Sequence, residues 1–280
     1  MRVLIVTQED PFYLPIFFRE FFRLRAAERQ ERRQEERPGR GLEHGGDEIE
    51  IVGVMIQRAL GNRDGRGLAR RMLGLYGPVG FVRIGARYAL RKAQNALAGM
   101  GLLREGFSIQ WFCAQAGVAV LPLTDINAPE TVEFVRQEVD LVVSVAASQI
   151  FRRPVLEAAP LGCINLHNAP LPHYRGMLPN FWQMYHDEPC SVLTIHQMVE
   201  QLDKGDILLQ QKTEIEPGMS LDALIKKTKA RSAAALLEVL RGLRDGTVTA
   251  APLPDEEGSY FSFPTRQDAR AFRARGKRLL

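Results

Sequence analysis

Asn165-Leu166-His167-Asn168-Ala169-Pro170-Leu171-Pro172-His173-Tyr174-Arg175-Gly176 closes one pattern in the chain and opens another. Ahead of its polar residues, Cys163 to Leu166 is a short apolar run of the kind that forms a strand buried on both faces. Asn165 and His167 stand two apart at the end of that strand, so their side chains leave the same face. Beyond them, Pro170 and Pro172 stiffen the chain, and Gly176 permits a sharp turn before Pro179 to Tyr185. In open α/β sheets ligands gather outside the carboxyl ends of the strands, which makes this strand end a candidate site. Taken alone, the pair fits equally well a turn-capping asparagine and a satisfied core histidine.

Outward from this stretch, Val3 to Val6, Glu50 to Ile56, Val118 to Leu123 and Leu141 to Val145 are further apolar strand candidates. Helical patterns lie between them, with Phe12 to Phe22 opening one helix and Asn127-Ala128-Pro129-Glu130 another, Asn127 as its cap. Downstream the pattern changes. Val192 to Met198 and Ile207 to Ile215 are joined by a short polar connection, Gln201-Leu202-Asp203-Lys204-Gly205-Asp206, and form an antiparallel hairpin. Ser220 caps a long amphipathic helix that buries Leu221, Leu224, Ile225, Thr228, Leu236, Leu237 and Leu240 and stops at Gly246. The expected fold is a Rossmann-like α/β domain, an open and mainly parallel sheet with an antiparallel hairpin and a C-terminal helix. It spans 1–246, with a charged insertion at about 23–46 and a helical one at about 58–106, interrupted at Gly77-Pro78. Residues 247–280 form a C-terminal extension, irregular from Gly258 and basic at its end.

Composition narrows the partners. The chain has 280 residues, is 45% hydrophobic and 25% charged, and its 37 basic against 33 acidic residues leave a charge of +4, suited to an anionic substrate without demanding nucleic acid. Arg19 to Arg40 mixes eight arginines with five glutamates, which reads as a solvated helix running into a flexible loop rather than an RNA-binding arm. Arg83, Arg87 and Arg91 recur at helical spacing and are expected to form a basic, solvated face. Three widely spaced cysteines make no CxxC pair. The opening apolar run is too short for a signal segment and nothing approaches a membrane span, so a cytoplasmic, reducing location is expected.

Rival chemistries lack their motifs. Thr7-Gln8-Glu9-Asp10 stands where a nicotinamide enzyme carries its glycine-rich turn, no Walker A lysine motif is present, and His167, His173, His186, Cys190 and His196 make no zinc-hydrolase spacing. A non-enzymatic RNA-binding protein would use the arginine-rich segment but leave the polar strand end unexplained.

The ordered conjunction of an Asn-x-His strand end, a rigid Leu-Pro loop and an aspartate in a D-x-G-D hairpin resembles the folate-dependent formyltransferases, a family that includes enzymes acting on methionyl-tRNA, glycinamide ribonucleotide and amino sugars. Residue separation fits as well, 203 − 165 = 38. The resemblance is strongest over about 139–230. It implies Asn165, His167 and Asp203 as catalytic residues, 10-formyltetrahydrofolate as formyl donor and no metal. It also implies a folate pocket bordered by Ser148, Gln149 and Ile150, by Leu171 and Pro172, and by Val199 and Leu202. In such a reaction a neutral amine attacks the formyl carbon. Asn165 would stabilise the oxyanion, a type of contribution worth about 3 kcal/mol. His167 would donate to that oxygen or take the amine proton, with Asp203 orienting it or relaying protons. Fewer than about 35 residues follow the long helix, short of the barrel that methionyl-tRNA members add. Together with Pro179-Asn180-Phe181-Trp182 this favours a small amine acceptor, nucleotide-linked amino sugars among them, over tRNA.

Overall fold

The computed structural model describes residues 1–35, 49–58, 65–254 and 257–280. The stretch Pro38-Gly39-Arg40-Gly41 of the charged insertion and the start of the helical insertion lie outside them.

Every inner residue of β1 (Arg2–Gln8) is buried, because alternate side chains feed two cores. Val3 and Ile5 face α1 (Leu14–Glu35), whose Phe17, Phe18 and Phe21 pack with Leu236 and Leu240 of the long C-terminal helix. Leu4 and Val6 face Val132 and Val135 from the opposite layer. β1 pairs in parallel with β2 (Glu50–Gln57) on one side. After β2 come the bent helix α2 (Gly65–Gly99), the short α3 (Ile109–Gln115) and β3 (Val120–Leu121). The chain continues through α4 (Pro129–Glu138), β4 (Leu141–Val145), the single turn α5 (Arg153–Leu156) and β5 (Cys163–His167). β6 (Arg175–Gly176) and α6 (Pro179–Tyr185) precede the hairpin of β7 (Cys190–Gln197) and β8 (Ile207–Glu214). α7 (Leu221–Arg244), β9 (Tyr260–Phe261) and α8 (Arg266–Ala274) complete the chain. Sheet order is β3-β2-β1-β4-β5-β7-β8, parallel through β5 and antiparallel at β7 and β8. Chain order reverses direction between β1 and β4, the crevice where open sheets of this class take ligands.

Several expectations are corrected. β3 is two residues long rather than six. Asn127 does not cap α4, whose cap is Ala128 without a side-chain bond. Instead Asn127 reaches forward, donating to Ile150 O and accepting from Arg152 N at 2.9 and 2.8 Å, and so ties two loops together. The segment after Gly258 is not irregular. Its β9 pairs in parallel with β6, and α8 carries a Thr265/Asp268 capping box and buries Phe272 against Phe181. Among the described residues no helix is long and apolar enough to cross a membrane.

The helical insertion bends where it was expected to, at Gly77, with φ 70° and ψ 175°. Of the three arginines expected to form a solvated face, Arg83 is exposed, whereas Arg87 and Arg91 are half-buried against the body. Arg87 bonds Asp222 of α7 at 2.7 Å and lies over the Phe12 ring, and Arg91 lies over Phe107. Arg87 and Arg91 therefore turn toward the body, and Val79, Val82 and Leu90 are left exposed.

Asp222 also accepts from Tyr13 Oη at 2.9 Å and pairs with Lys226. Burial alone would raise its carboxyl, but bonds from Arg87, Lys226 and Tyr13 outweigh it and hold the group below its ordinary 3.8. A depressed carboxylate supplies stability that is complete above the unfolded value and disappears as pH falls through the folded one. Asp222→Asn should therefore cost about 2 kcal/mol at pH 7. Chemical denaturation at pH 7 and at about pH 3 checks this, and the difference from wild type should shrink at the acid end.

Candidate active site

β5 ends beside β7, and their antiparallel register sets Asn165 opposite His196 and His167 opposite Thr194. All four side chains share one face of the sheet.

His196 is 2% exposed. Its Nδ1 lies 2.7 Å from Gln197 O. A carbonyl only accepts, so Nδ1 carries the hydrogen and the neutral ring keeps its lone pair on Nε2. Asn165 Nδ2 is 3.3 Å from that Nε2 and donates to it. This fixes the Asn165 amide with its nitrogen toward His196 and leaves it a second N–H hydrogen. Asp203 Oδ1 lies 3.6 Å from the same Nε2. Burial is the main cause that pushes the His196 imidazole down from 6.5, and His167 adds to it, against the opposing pull of Gln197 and Asp203. A neutral His196 therefore accepts from Asn165, and Asp203 lies beside the same nitrogen with no hydrogen bond to it.

His167 stands apart from that chain. Its Nε2 lies 3.3 Å from Tyr174 O and donates to it, which in the neutral ring leaves the lone pair on Nδ1. Among the described residues no hydrogen bond joins Asp203 to His167. The expected pairing of the two is replaced by Asp203 beside His196, because His196 occupies the β7 position facing Asn165.

The loop after His167 is fastened from three sides. Thr194 Oγ1 donates to Ala169 O at 2.6 Å, Gln183 Nε2 donates to Asn168 O at 2.7 Å, and Gln210 Nε2 donates to Thr194 Oγ1 at 3.0 Å. β9 supports its far end, with Arg175 N donating to Ser259 O and Met177 N to Phe261 O. Asp203 is held by a tight connection in which Gln197 N donates to Asp206 O at 2.8 Å. A Cβ at Gly205 would sit 1.9 Å from Gln197 O, so only glycine fits there. Of five non-glycine residues with positive φ among those described, Ala146, Tyr174, Leu178 and Asp203 lie in the segments around this strand end. Each such conformation costs of order 1 kcal/mol, and clusters of them mark functional sites.

The other expected positions divide. Ser148 and Gln149 have their side chains engaged by the protein itself: Ser148 Oγ donates to Arg58 O, and Gln149 Oε1 accepts from Gln57 Nε2 and Ile126 N. Leu171 and Pro172 are buried, whereas Ile150, Val199 and Leu202 are exposed apolar side chains. Among the described residues no three His, Cys, Asp or Glu side chains come together to hold a metal. His196 was passed over because its sequence neighbours suggested only a zinc cluster. The signal for it was positional, seven residues ahead of Asp203 on the inner face of β7.

Residues 125–240 match the family model described as Formyl transferase. A methionyl-tRNA formyltransferase of Ruminiclostridium cellulolyticum is 32% identical over 160 residues, covering 57% of this chain and 51% of the relative. The chain thus spans about half the length of the curated relatives it matches. In structure, a sugar N-formyltransferase from a Shewanella species superposes with a TM-score of 0.57 at 18% identity, over 98% of this chain and 87% of the other. An N-formyltransferase from Helicobacter canadensis, solved with folinic acid and dTDP-3-aminofucose, gives 0.52 at 13% identity over 96% and 72%. These two likenesses establish the fold.

His196 should stay neutral and Nδ1-protonated at pH 6, where a free imidazole of pKa about 6.5 is mostly charged. Nitrogen-15 NMR of the ring reads this directly, and titration of His196 at or above 6.5 would contradict the assignment. Because the folded value is the lower one, His196 makes the protein less stable as pH falls below about 6.5.

Proposed function

We propose that the chain transfers a formyl group from 10-formyltetrahydrofolate to a small primary amine, with Asn165, His167 and Asp203 as the catalytic set and His196 orienting Asn165. The observation that carries this reading is the amide of Asn165, oriented by His196 so that one N–H hydrogen is left for a substrate oxygen beside the lone pair of His167.

Acyl transfer needs those two groups. The acceptor nitrogen attacks the formyl carbon, and charge develops on its oxygen, where the free Asn165 hydrogen stabilises it. His167 Nδ1 accepts the proton that the attacking amine must lose, while its Nε2–H stays on Tyr174 O and keeps the ring oriented. The carbon–nitrogen bond to the folate then breaks, and the leaving nitrogen takes up a proton. Asp203, 7% exposed, supplies a carboxylate at this end of the sheet for relaying that proton through water. Exposed Ile150, Val199 and Leu202, with the rigid Leu171-Pro172 turn, suit a flat apolar donor. The folinic acid in the Helicobacter canadensis enzyme's structure agrees with such a donor.

The acceptor we favour is an amino sugar or another small, nucleotide-linked amine. Methionyl-tRNA is the second reading, favoured by the names of the relatives that match in sequence.

Release of tetrahydrofolate, measured with amino-sugar nucleotides, glycinamide ribonucleotide and charged initiator tRNA in turn, tests both levels. One acceptor should support turnover. His167→Ala should lower kcat/KM about 100- to 10,000-fold and Asn165→Ala about 100- to 1,000-fold. Absence of folate binding would overturn the reading, and turnover with tRNA alone would replace the small acceptor.

A further inference from the structure

A cleft of about 880 Å³ lies between the first half of α2 and the segment that leads into α8. Arg70 and Arg71 line it from α2, and Arg266, Arg270 and Arg273 from α8. Its apolar surface comes from Leu73, Met177, Phe263 and Pro264. None of Asn165, His167 and Asp203 lines it.

The five guanidinium groups are exposed at the rim of one cavity and together give it a positive field that attracts an anion. Among the described residues no carboxylate lines the cleft. From Gly65 to Arg104 the sequence has neither Asp nor Glu. Asp268, the one acid of α8, is taken up in the capping box, accepting from Thr265 N at 2.8 Å and from Thr265 Oγ1 at 2.7 Å. Among the described residues none of the five arginines has an ion-pair partner, and Arg273 spends one N–H on Leu75 O at 2.9 Å, which fixes α8 against α2. Thr265 and Arg266, at the N-terminus of α8, also line the cleft, so its helix dipole adds to the same field.

The volume falls within the range of small-molecule pockets, roughly 300–1,000 Å³. Guanidinium forks match phosphate oxygens in pairs, and an apolar wall beside them suits a flat ring. The cleft also reaches the catalytic loop. Met177 follows Tyr174, whose carbonyl holds His167, by three residues, a span of at most ~10 Å.

We propose that this cleft binds the diphosphate end of a nucleotide-linked acceptor and so acts as the remote handle of the site above. The inference rests on the reading that the acceptor is a phosphorylated small amine. It concerns residues outside the segment that matches the formyl transferase model.

Binding of UDP and of uridine to the full chain by calorimetry tests it without any formyl donor. UDP should bind and uridine should bind at least about tenfold more weakly, since each charged hydrogen bond lost costs about that much. Arg70→Glu with Arg270→Glu should abolish UDP binding, and the milder Arg70→Gln with Arg270→Gln should weaken it about tenfold or more, both with unchanged binding of 5-formyltetrahydrofolate. UDP binding that survives either double variant, or no UDP binding to the wild type, would overturn the proposal. An arginine-dependent affinity for tRNA without one for UDP would overturn it too and assign the cleft to nucleic acid. Loss of folate binding in the wild type would strike at the formyl-transfer reading instead, so the two failures are told apart.

Discussion

The site depends on one cross-strand pair. Asn165 and His196 face each other where β5 meets β7, and the ring of His196 is locked by its bond to Gln197 O. That bond decides which nitrogen can accept, the accepting nitrogen decides how the Asn165 amide is turned, and the same nitrogen faces Asp203. A one-residue slip of β7 would carry His196 to the other face of the sheet and dismantle all three relationships. The register is protected by burial, since β7 is buried at Ser191 through His196 and bonded on both edges.

Much of the fold was legible because buried parallel strands write themselves as continuous apolar runs. Leu141 to Val145 was bounded as the structure has it, and Ser220 caps α7 by accepting from Ala223 N as its sequence suggests. Errors fell where side chains serve partners far along the chain. Asn127 has the chemistry of a cap yet spends it on residues 23 and 25 positions away. Arg87 has the spacing of a solvated row yet pairs with Asp222, 135 residues on. Periodicity reports which face a residue occupies, and it is silent on what lies opposite that face.

Asn165, His167 and Asp203 were expected together because their spacing belongs to a recognisable pattern. What the pattern did not contain is the means of holding them. Thr194, Gln183 and Gln210 fasten the loop through single hydrogen bonds to its carbonyls or to one another, and such residues look like ordinary polar positions in a strand or helix. His196 was visible only as one histidine among several. The geometry gives Asp203 a different neighbour from the expected one and gives His167 a backbone carbonyl instead.

The loop that follows His167 takes its outer support from residues made much later. Arg175 and Met177 bond to Ser259 and Phe261, and the Trp182 indole donates to Ser262 O, 80 residues downstream. A chain emerging from the ribosome completes the parallel sheet well before that support exists, and domains generally organise as they are made. The strand end is therefore in place first and its loop is secured last. A ligand that engages the loop meets a finished surface only after the segment around β9 has left the exit tunnel and docked.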